Sequence, residues 1–261
     1  MQLDRYRSTR YVGYIDPRFD SEDLRLLVEH QEEIGAFEGA ERVPTRPGRE
    51  VYRVEIRTQR GPALVYTHLL MNRRLHESVR PPQAFTVMRT GRRMLACGLP
   101  TARVLTAVRR RWRPLNWTSF AVTLAIPDAV PLSLLDQEDL IGRAGFAKLQ
   151  LIRQIANQTA WMHAHGFYHK DLIAPNILVA NRKSTPVIWF VGLGRAGMSG
   201  WMPPYWRHWR WASDLLALMR SDLETISDRD RAVFLETYLR ALGPRRGAPL
   251  VRKILMRRLK E

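Results

Sequence analysis

The chain has 261 residues, 45% of them hydrophobic and 26% charged, enough to bury one large core or two small ones and typical of a folded soluble protein. Lys and Arg outnumber Asp and Glu by 42 to 25, a net charge of +17 that is mostly arginine and favours anionic partners: nucleic acid, acidic lipid head groups or a phosphorylated substrate. The single cysteine, Cys97, excludes an internal disulfide and a cysteine-based metal cluster, and it suits the cytoplasm.

Residues 1–20 are polar and carry no signal-peptide core. No run reaches the roughly 20 apolar residues of a membrane span. The longest candidate, 119–135, is broken by Pro127, Asp128 and Pro131, so a soluble or peripheral protein is expected. In residues 1–44, Asp20-Ser21-Glu22-Asp23 is a helix start ahead of Leu24, Leu26, Leu27 and Val28, and the segment reads as an N-terminal extension. From Gly48 the pattern changes. Residues 51–57 alternate as a strand, Gln59-Arg60-Gly61-Pro62 is a turn and 63–70 a second strand. Residues 82–97 read as a helix, with Phe85, Met88, Met94 and Leu95 near helical spacing and Gly98 as its stop. Residues 103–108 and 119–125 pair across the basic turn Arg109-Arg110-Arg111-Trp112-Arg113-Pro114, and 127–131 is expected to be a linker.

Helix dominates the remainder. Phe146, Leu149, Ile152, Ile155, Thr159 and Met162 lie along one helix face that ends at Gly166. Residues 177–179 and 187–191 are short strands around the turn Asn181-Arg182-Lys183-Ser184. Residues 214–219, 229–242 and 250–259 are three further helices. No internal repeat is present.

The chemistry concentrates in His169-Lys170-Asp171-Leu172-Ile173-Ala174-Pro175-Asn176, which reads H-x-D-L-x-x-x-N ahead of a strand. Phosphoryl transfer from Mg-ATP needs a carboxylate near the acceptor hydroxyl and an oxygen ligand for the metal, and an Asp and an Asn five apart on one loop supply both. Taken alone, the pair also fits a helix end followed by a turn, with Asp171 as a cap. The preceding helix and turn and the following strand favour the functional reading.

The segment Met162-His163-Ala164-His165-Gly166-Phe167-Tyr168-His169-Lys170-Asp171-Leu172 resembles the LHxxGxxHxDL stretch of the protein-kinase-like fold. More narrowly, the chain resembles the bacterial lipopolysaccharide kinases that phosphorylate heptose or Kdo sugars of the inner core. Gly98-Leu99-Pro100-Thr101-Ala102-Arg103 is similar to that family's GIPTxR turn. Ser119-Phe120-Ala121-Val122-Thr123 is similar to its strand entering the hinge. Asp214-Leu215-Leu216-Ala217-Leu218 with Phe234-Leu235-Glu236-Thr237-Tyr238-Leu239 is similar to its C-terminal pattern. The resemblance covers residues 45–243. It implies ATP and Mg²⁺ as cofactors. Asp171 would orient or deprotonate the acceptor, Lys170 would face the transferring phosphate, His169 would hold the loop and Asn176 would bind the metal. Nucleotide contacts would fall at His68, Thr123 and Ala125.

Two positions depart from the family pattern. Where the second metal-binding Asp stands in I-D-L-D-R-A, this chain has Gly192 in Val191-Gly192-Leu193-Gly194-Arg195-Ala196. Where the phosphate-binding Lys stands, the nearest residue is His68, with Thr67 beside it, and the partner Glu of the following helix would fall near Val87. Glycine offers a hard cation no side-chain oxygen, so activity is in doubt. Arg53, Arg57 and Arg195 are available as substitute cations.

Other patterns carry less. Gly192-Leu193-Gly194-Arg195-Ala196-Gly197 spells G-x-G-x-x-G, but Pro203 and Pro204 argue against the helix that a dinucleotide site requires. His163 and His165 point to different sides of a helix and do not make a zinc site with His169; His163 reads as a packed core residue. Trp201, Trp206, Trp209 and Trp211 alternate with Tyr205, Arg207, His208 and Arg210, either as core aromatics with solvated arginines or as a platform for sugar, lipid or the membrane interface. The basic helix 250–260 puts Leu250, Val251, Ile254 and Leu255 on one face, to pack on the fold or to lie on anionic lipid.

The expected fold is α+β, a two-lobed protein-kinase-like fold with a small antiparallel β-rich N-lobe carrying one helix and a larger helical C-lobe. Residues 1–44 are the extension, 45–126 the N-lobe and 127–261 the C-lobe. The expected function is ATP-dependent phosphorylation of a heptose or Kdo hydroxyl on an anionic glycolipid, in the cytoplasm and peripheral on the inner membrane. The alternatives are a catalytically impaired scaffold of the same fold, a basic nucleic-acid-binding protein, for which no known module is present, and a kinase of protein or small molecules.

Overall fold

The computed structural model of the chain describes residues 3–45, 49–71, 81–111, 118–137, 148–182, 185–221, 223 and 225–259. Gly48, residues 112–114 of the expected basic turn, Phe146, residues 183–184 and Lys260 lie outside them. The chain divides into two compact units, Met1–Arg93 with Ala102–Ala125, and Met94–Thr101 with Ile126–Glu261.

The first unit is built on strands β1 (Asp4–Arg7), β2 (Tyr11–Ile15), β3 (Glu41–Val43), β4 (Arg49–Thr58), β5 (Gly61–Met71), β6 (Val104–Arg110) and β7 (Thr118–Leu124). They form one sheet in the order β1-β2-β6-β7-β5-β4-β3, antiparallel throughout. Helix α1 (Glu22–Glu29) covers one face, burying Leu24, Leu27 and Val28 against Val54, Ile56, Val65, Leu105, Val108, Phe120 and Val122. Helix α2 (Gln83–Ala96) covers the other, with Ala84 and Met88 against Leu70, Val104, Ala107 and Ala121. Successive side chains of a strand point to opposite faces. A sheet covered on both faces therefore needs central strands that are apolar at every position, as in Phe120-Ala121-Val122.

Residues 4–43, expected as an extension, are part of this unit. β1, β2 and β3 lie in the sheet, and α1 supplies a second helix where one was expected. The sequence hid this because β1, Asp-Arg-Tyr-Arg, is polar and paired only along one edge. A buried carboxylate fastens the segment. Asp16 is fully buried and accepts from Arg103 Nε at 3.0 Å and Nη2 at 2.7 Å, and from Arg18 Nε at 3.1 Å. Arg103 is the last residue of the GLPTAR motif, so the motif's cation serves the fold.

The second unit contains β8 (Ala129–Pro131), α3 (Leu132–Gln137), α4 (Lys148–Ala164), β9 (Phe167–Tyr168), β10 (Ile177–Arg182), β11 (Thr185–Phe190), β12 (Gly197–Met198), α5 (Pro204–Met219), α6 (Asp228–Leu242) and α7 (Ala248–Arg258). β8, expected as a linker, pairs with β10, so Val130 and Val179 face each other across a ladder. On α4 the buried face is Leu151, Ile152, Ile155, Thr159 and Met162, and Leu149 is exposed. Where Pro203 and Pro204 were expected to prevent a long helix, a helix of 16 residues begins at Pro204. Proline is tolerated at the first helical position, because its missing N–H has no intrahelical partner there. On α7, Val251, Ile254 and Leu255 are buried, and the helix packs on α5, so its apolar face is already occupied and not available to lie on lipid.

Removing the carboxylate in Asp16→Ala would strand two arginines and cost about 3 kcal/mol of stability. Urea unfolding of the whole chain should show a lower midpoint; an unchanged midpoint would show that residues 4–43 are only loosely attached.

Candidate active site

In the second unit the H-x-D loop follows α4. Gly166 turns the chain at φ 80°, and β9 leads into His169. Lys170 sits at φ 63°, a left-handed conformation that is uncommon for a residue with a side chain. Asp214, in the middle of α5, holds it there. Its carboxylate accepts the His169 backbone N–H on Oδ2 at 2.6 Å and the Lys170 N–H on Oδ1 at 2.7 Å. Two adjacent amides on one carboxylate fix the turn. Asp214 is buried, and the same Oδ2 lies 3.3 Å from His163 Nε2. His163 is also buried and stacks on Trp211 at 5.4 Å, and its Nδ1 lies 2.8 Å from the Tyr238 hydroxyl.

Burial lowers the His163 pKa, with Asp214 pulling weakly the other way, and it pushes the Tyr238 hydroxyl well above its usual range, with the Asp214 charge adding. The imidazole is therefore neutral. Nε2–H donates to Asp214 and Nδ1 accepts from Tyr238. The chain Tyr238–His163–Asp214–loop amides leaves no proton ambiguous, which suits a buried polar network.

The loop closes at its far end through Asn176. Its Nδ2 donates to the Asp171 carbonyl at 2.8 Å, and the Val191 amide donates to the Asn176 carbonyl at 3.0 Å. His169 Nε2 lies 2.9 Å from the Val191 carbonyl and must carry the proton, since a carbonyl only accepts. Val191 and Gly192 follow β11, whose last residue Phe190 is gripped by Thr101: Oγ1 donates to the Phe190 carbonyl at 2.6 Å. His169, Lys170, Asp171 and Asn176 thus come together in one unit, with Asp171 half-buried and Lys170 exposed, its Nζ 5.3 Å over the Tyr168 ring.

Gly192 has φ 75°, and a Cβ on it would lie 2.6 Å from Asn176 Oδ1 and 2.8 Å from its Cγ. The position that holds an Asp in the family pattern is therefore occupied from the other side: the Asn176 side chain fills the space that a side chain at 192 would need. With Nδ2 spent on Asp171, Oδ1 is the oxygen turned toward Gly192. Among the described residues no group of three or more His, Cys, Asp or Glu could hold a metal.

His68 and Thr123 belong to the first unit. His68 on β5 lies with Nε2 3.0 Å from Thr123 Oγ1 on β7. Burial, with the Arg49 charge adding, lowers its pKa to about 4. At neutral pH the position that should carry a lysine is an uncharged imidazole engaged with its neighbour. Ala125 donates its amide to the Leu64 carbonyl at 2.9 Å.

Asp214 is the residue whose role sequence reasoning missed. It stood there only as part of a helix and of the family's C-terminal pattern, with no role at the site. The available signal was a carboxylate amid Trp211-Ala212-Ser213-Asp214-Leu215-Leu216, since an Asp facing a core needs donors aimed at it.

A family model described as Lipopolysaccharide kinase (Kdo/WaaP) family matches residues 48–238. Among solved structures, WaaP in complex with acyl carrier protein is similar, with a TM-score of 0.60, 23% identity, and 93% of this chain and 97% of that chain covered. No curated protein matches the chain. The likeness to WaaP supports the α+β protein-kinase-like fold.

Asp214→Asn keeps the volume but removes the charge and turns one acceptor into a donor facing the loop amides. It should cost about 3 kcal/mol and speed hydrogen exchange at His169 and Lys170; protection equal to wild type at those amides would remove Asp214 from its role. Both His68 and His163 have folded pKa values below the ordinary 6.5. As pH falls through that value the unfolded chain takes up protons first, so stability is greatest above pH 6.5 and falls toward pH 4. The midpoint of thermal unfolding should drop over this range, and His68→Gln should flatten part of the slope; an unchanged slope would mean that His68 titrates alike in the folded and unfolded chain.

Proposed function

Because the chain belongs to the lipopolysaccharide kinase (Kdo/WaaP) family, we propose that it transfers the γ-phosphoryl group of ATP to a hydroxyl of a heptose or Kdo sugar in the lipopolysaccharide inner core. The observation that carries this reading is the loop from His169 to Asn176, with two of its amides fastened to a buried carboxylate. Phosphoryl transfer asks a protein mainly for positioning and charge stabilisation, and a loop held at both ends provides positioning.

The residue roles are those that the family resemblance implies. Asp171 orients the acceptor hydroxyl and takes its proton as the new O–P bond to the sugar forms and the bond from the γ-phosphorus to the departing ADP breaks. Lys170, exposed beside it, faces the transferring phosphate. His169 holds the loop against Val191. His68, Thr123 and Ala125 are the proposed nucleotide contacts, with His68 acting as a neutral hydrogen-bonding group.

A bound Mg²⁺ would share its ligands between this site and the nucleotide phosphates. Mg²⁺ is commonly held by one or two protein oxygens with the remainder from phosphates and water. Asn176 Oδ1, left by its Nδ2 bond to Asp171 and turned toward Gly192, is the chain's candidate ligand. When bound, the ion neutralises charge on the phosphates.

A second reading is favoured by Gly192 and His68: a kinase-shaped protein with little or no turnover. The missing carboxylate and the missing ammonium remove electrostatic stabilisation where charge develops. Restoring the carboxylate alone is a poor test, since the Cβ of Gly192→Asp would press on Asn176.

Calorimetry of ATP binding with and without Mg²⁺, on wild type and Asn176→Ala, tests the site without knowledge of the acceptor. The kinase reading expects Mg²⁺ to tighten ATP binding, and the variant to lose about tenfold in Mg-ATP affinity while keeping its affinity for free ATP. Asp171→Asn should bind Mg-ATP normally and lower phosphate transfer to lipopolysaccharide at least about 100-fold. No binding at millimolar ATP would overturn the kinase reading in favour of the second.

A further inference from the structure

We propose that the N-terminal turns of α5, with the segment before them, form a docking face for the surface of an anionic phospholipid bilayer. Trp201 is 80% exposed, Tyr205 53% and Trp206 57%, three large rings within six residues. Tyr205 and Trp206 adjoin each other and Trp209: Tyr205 and Trp206 lie 6.2 Å apart between ring centroids, and Trp206 and Trp209 6.4 Å. Isolated exposed hydrophobic residues are ordinary, but adjoining aromatic rings held out by a rigid helix start mark an interaction surface.

Charge identifies the occupant. Arg210 and Arg258 each place a guanidinium 5.1 Å from the Trp209 ring, and Arg207 lies over Trp211 at 5.6 Å. The stretch from Ser199 to Ser213 contains no Asp or Glu, while it carries Arg207 and Arg210. On α7, Arg252, Lys253 and Arg257 are exposed. Trp and Tyr settle at the headgroup level of a bilayer because each has an apolar body and a polar N–H or O–H. Arginine binds phosphate in a fork. Each cation near an anionic leaflet raises affinity by about fivefold. Rings of this kind with guanidiniums among them fit a lipid surface better than a structured partner, which would ask for a groove.

The face also leads to the H-x-D loop. Arg210 lies 6.0 Å from the Tyr168 ring, and Lys170 Nζ lies 5.3 Å from the same ring. A docked molecule would hold Asp171 near the membrane surface, where a lipid-linked acceptor is found. That consequence rests on the proposed phosphoryl transfer; the docking itself does not.

The test is co-sedimentation of the full chain with vesicles of phosphatidylcholine alone or mixed with phosphatidylglycerol, beside a single-stranded oligonucleotide as a competing polyanion. Wild type should bind the mixed vesicles and not the neutral ones, with a blue shift in tryptophan emission. Trp201→Ser with Trp206→Ser, both exposed and so compatible with folding, should weaken vesicle binding by about tenfold or more and abolish most of the blue shift, with circular dichroism unchanged. Trp206→Phe should retain part of the binding. Undiminished binding by the double variant would overturn the proposal, as would binding to the oligonucleotide with none to vesicles. Because no arm of the experiment contains ATP, a failed kinase assay leaves its outcome unaffected.

Discussion

The Asp214 carboxylate is the constraint on which the site depends. It is buried, which is costly for a carboxylate unless donors surround it. The donors are two successive loop amides and a neutral histidine. This satisfies the charge and at the same time fixes Lys170 in a left-handed conformation that its side chain disfavours. Tyr238 from α6 closes the network by fixing the tautomer of His163. Three helices, α4, α5 and α6, thus meet at one polar chain whose outer end is the backbone of the H-x-D loop. The loop's geometry is set by the core of its unit.

The same economy appears in the first unit. Its sheet is covered on both faces, so the central strands are continuously apolar, and its polar fastening is confined to Asp16 with Arg103 and Arg18. The GLPTAR motif, which resembles a family signature, has two mechanical uses. Thr101 grips the end of β11, and Arg103 grips Asp16. Neither contact touches the chemistry directly. Thr101 does set where Val191 and Gly192 emerge, and hence what faces Asn176.

Gly192 then acquires a physical meaning beyond a missing ligand. With no Cβ at 192, the Asn176 amide fills the gap and bonds back to Asp171. The Asn176 bond holds that end of the loop without a carboxylate, and the electrostatic contribution of that carboxylate is absent. His68, neutral and bonded to Thr123, shows the same substitution of hydrogen bonding for charge. Under the proposed phosphoryl transfer, both changes would weaken the field at the transferring phosphate.

Much of this was legible in the sequence. Period-2 alternation in 51–57, the helical spacing of α2 and α4, and the order helix, turn, H-x-D, Asn, strand are local patterns, because side-chain periodicity follows directly from backbone geometry. The resemblance to the lipopolysaccharide kinases rested on such local strings. What only the tertiary structure decided were partnerships between distant residues. Asp214 bonds amides 44 and 45 residues away, and β2 joins β6 across some ninety residues of sequence, as in Tyr14 opposite Ala107. The apolar face of α7 was legible, but α5 covers it, and no periodicity states what covers a face. Proline at 204 was read as a break, yet at the first position of a helix its missing N–H costs nothing. Local geometry is written residue by residue, whereas the identity of a long-range partner is settled by packing, where buried charge, close approach and the space left by a glycine select one arrangement.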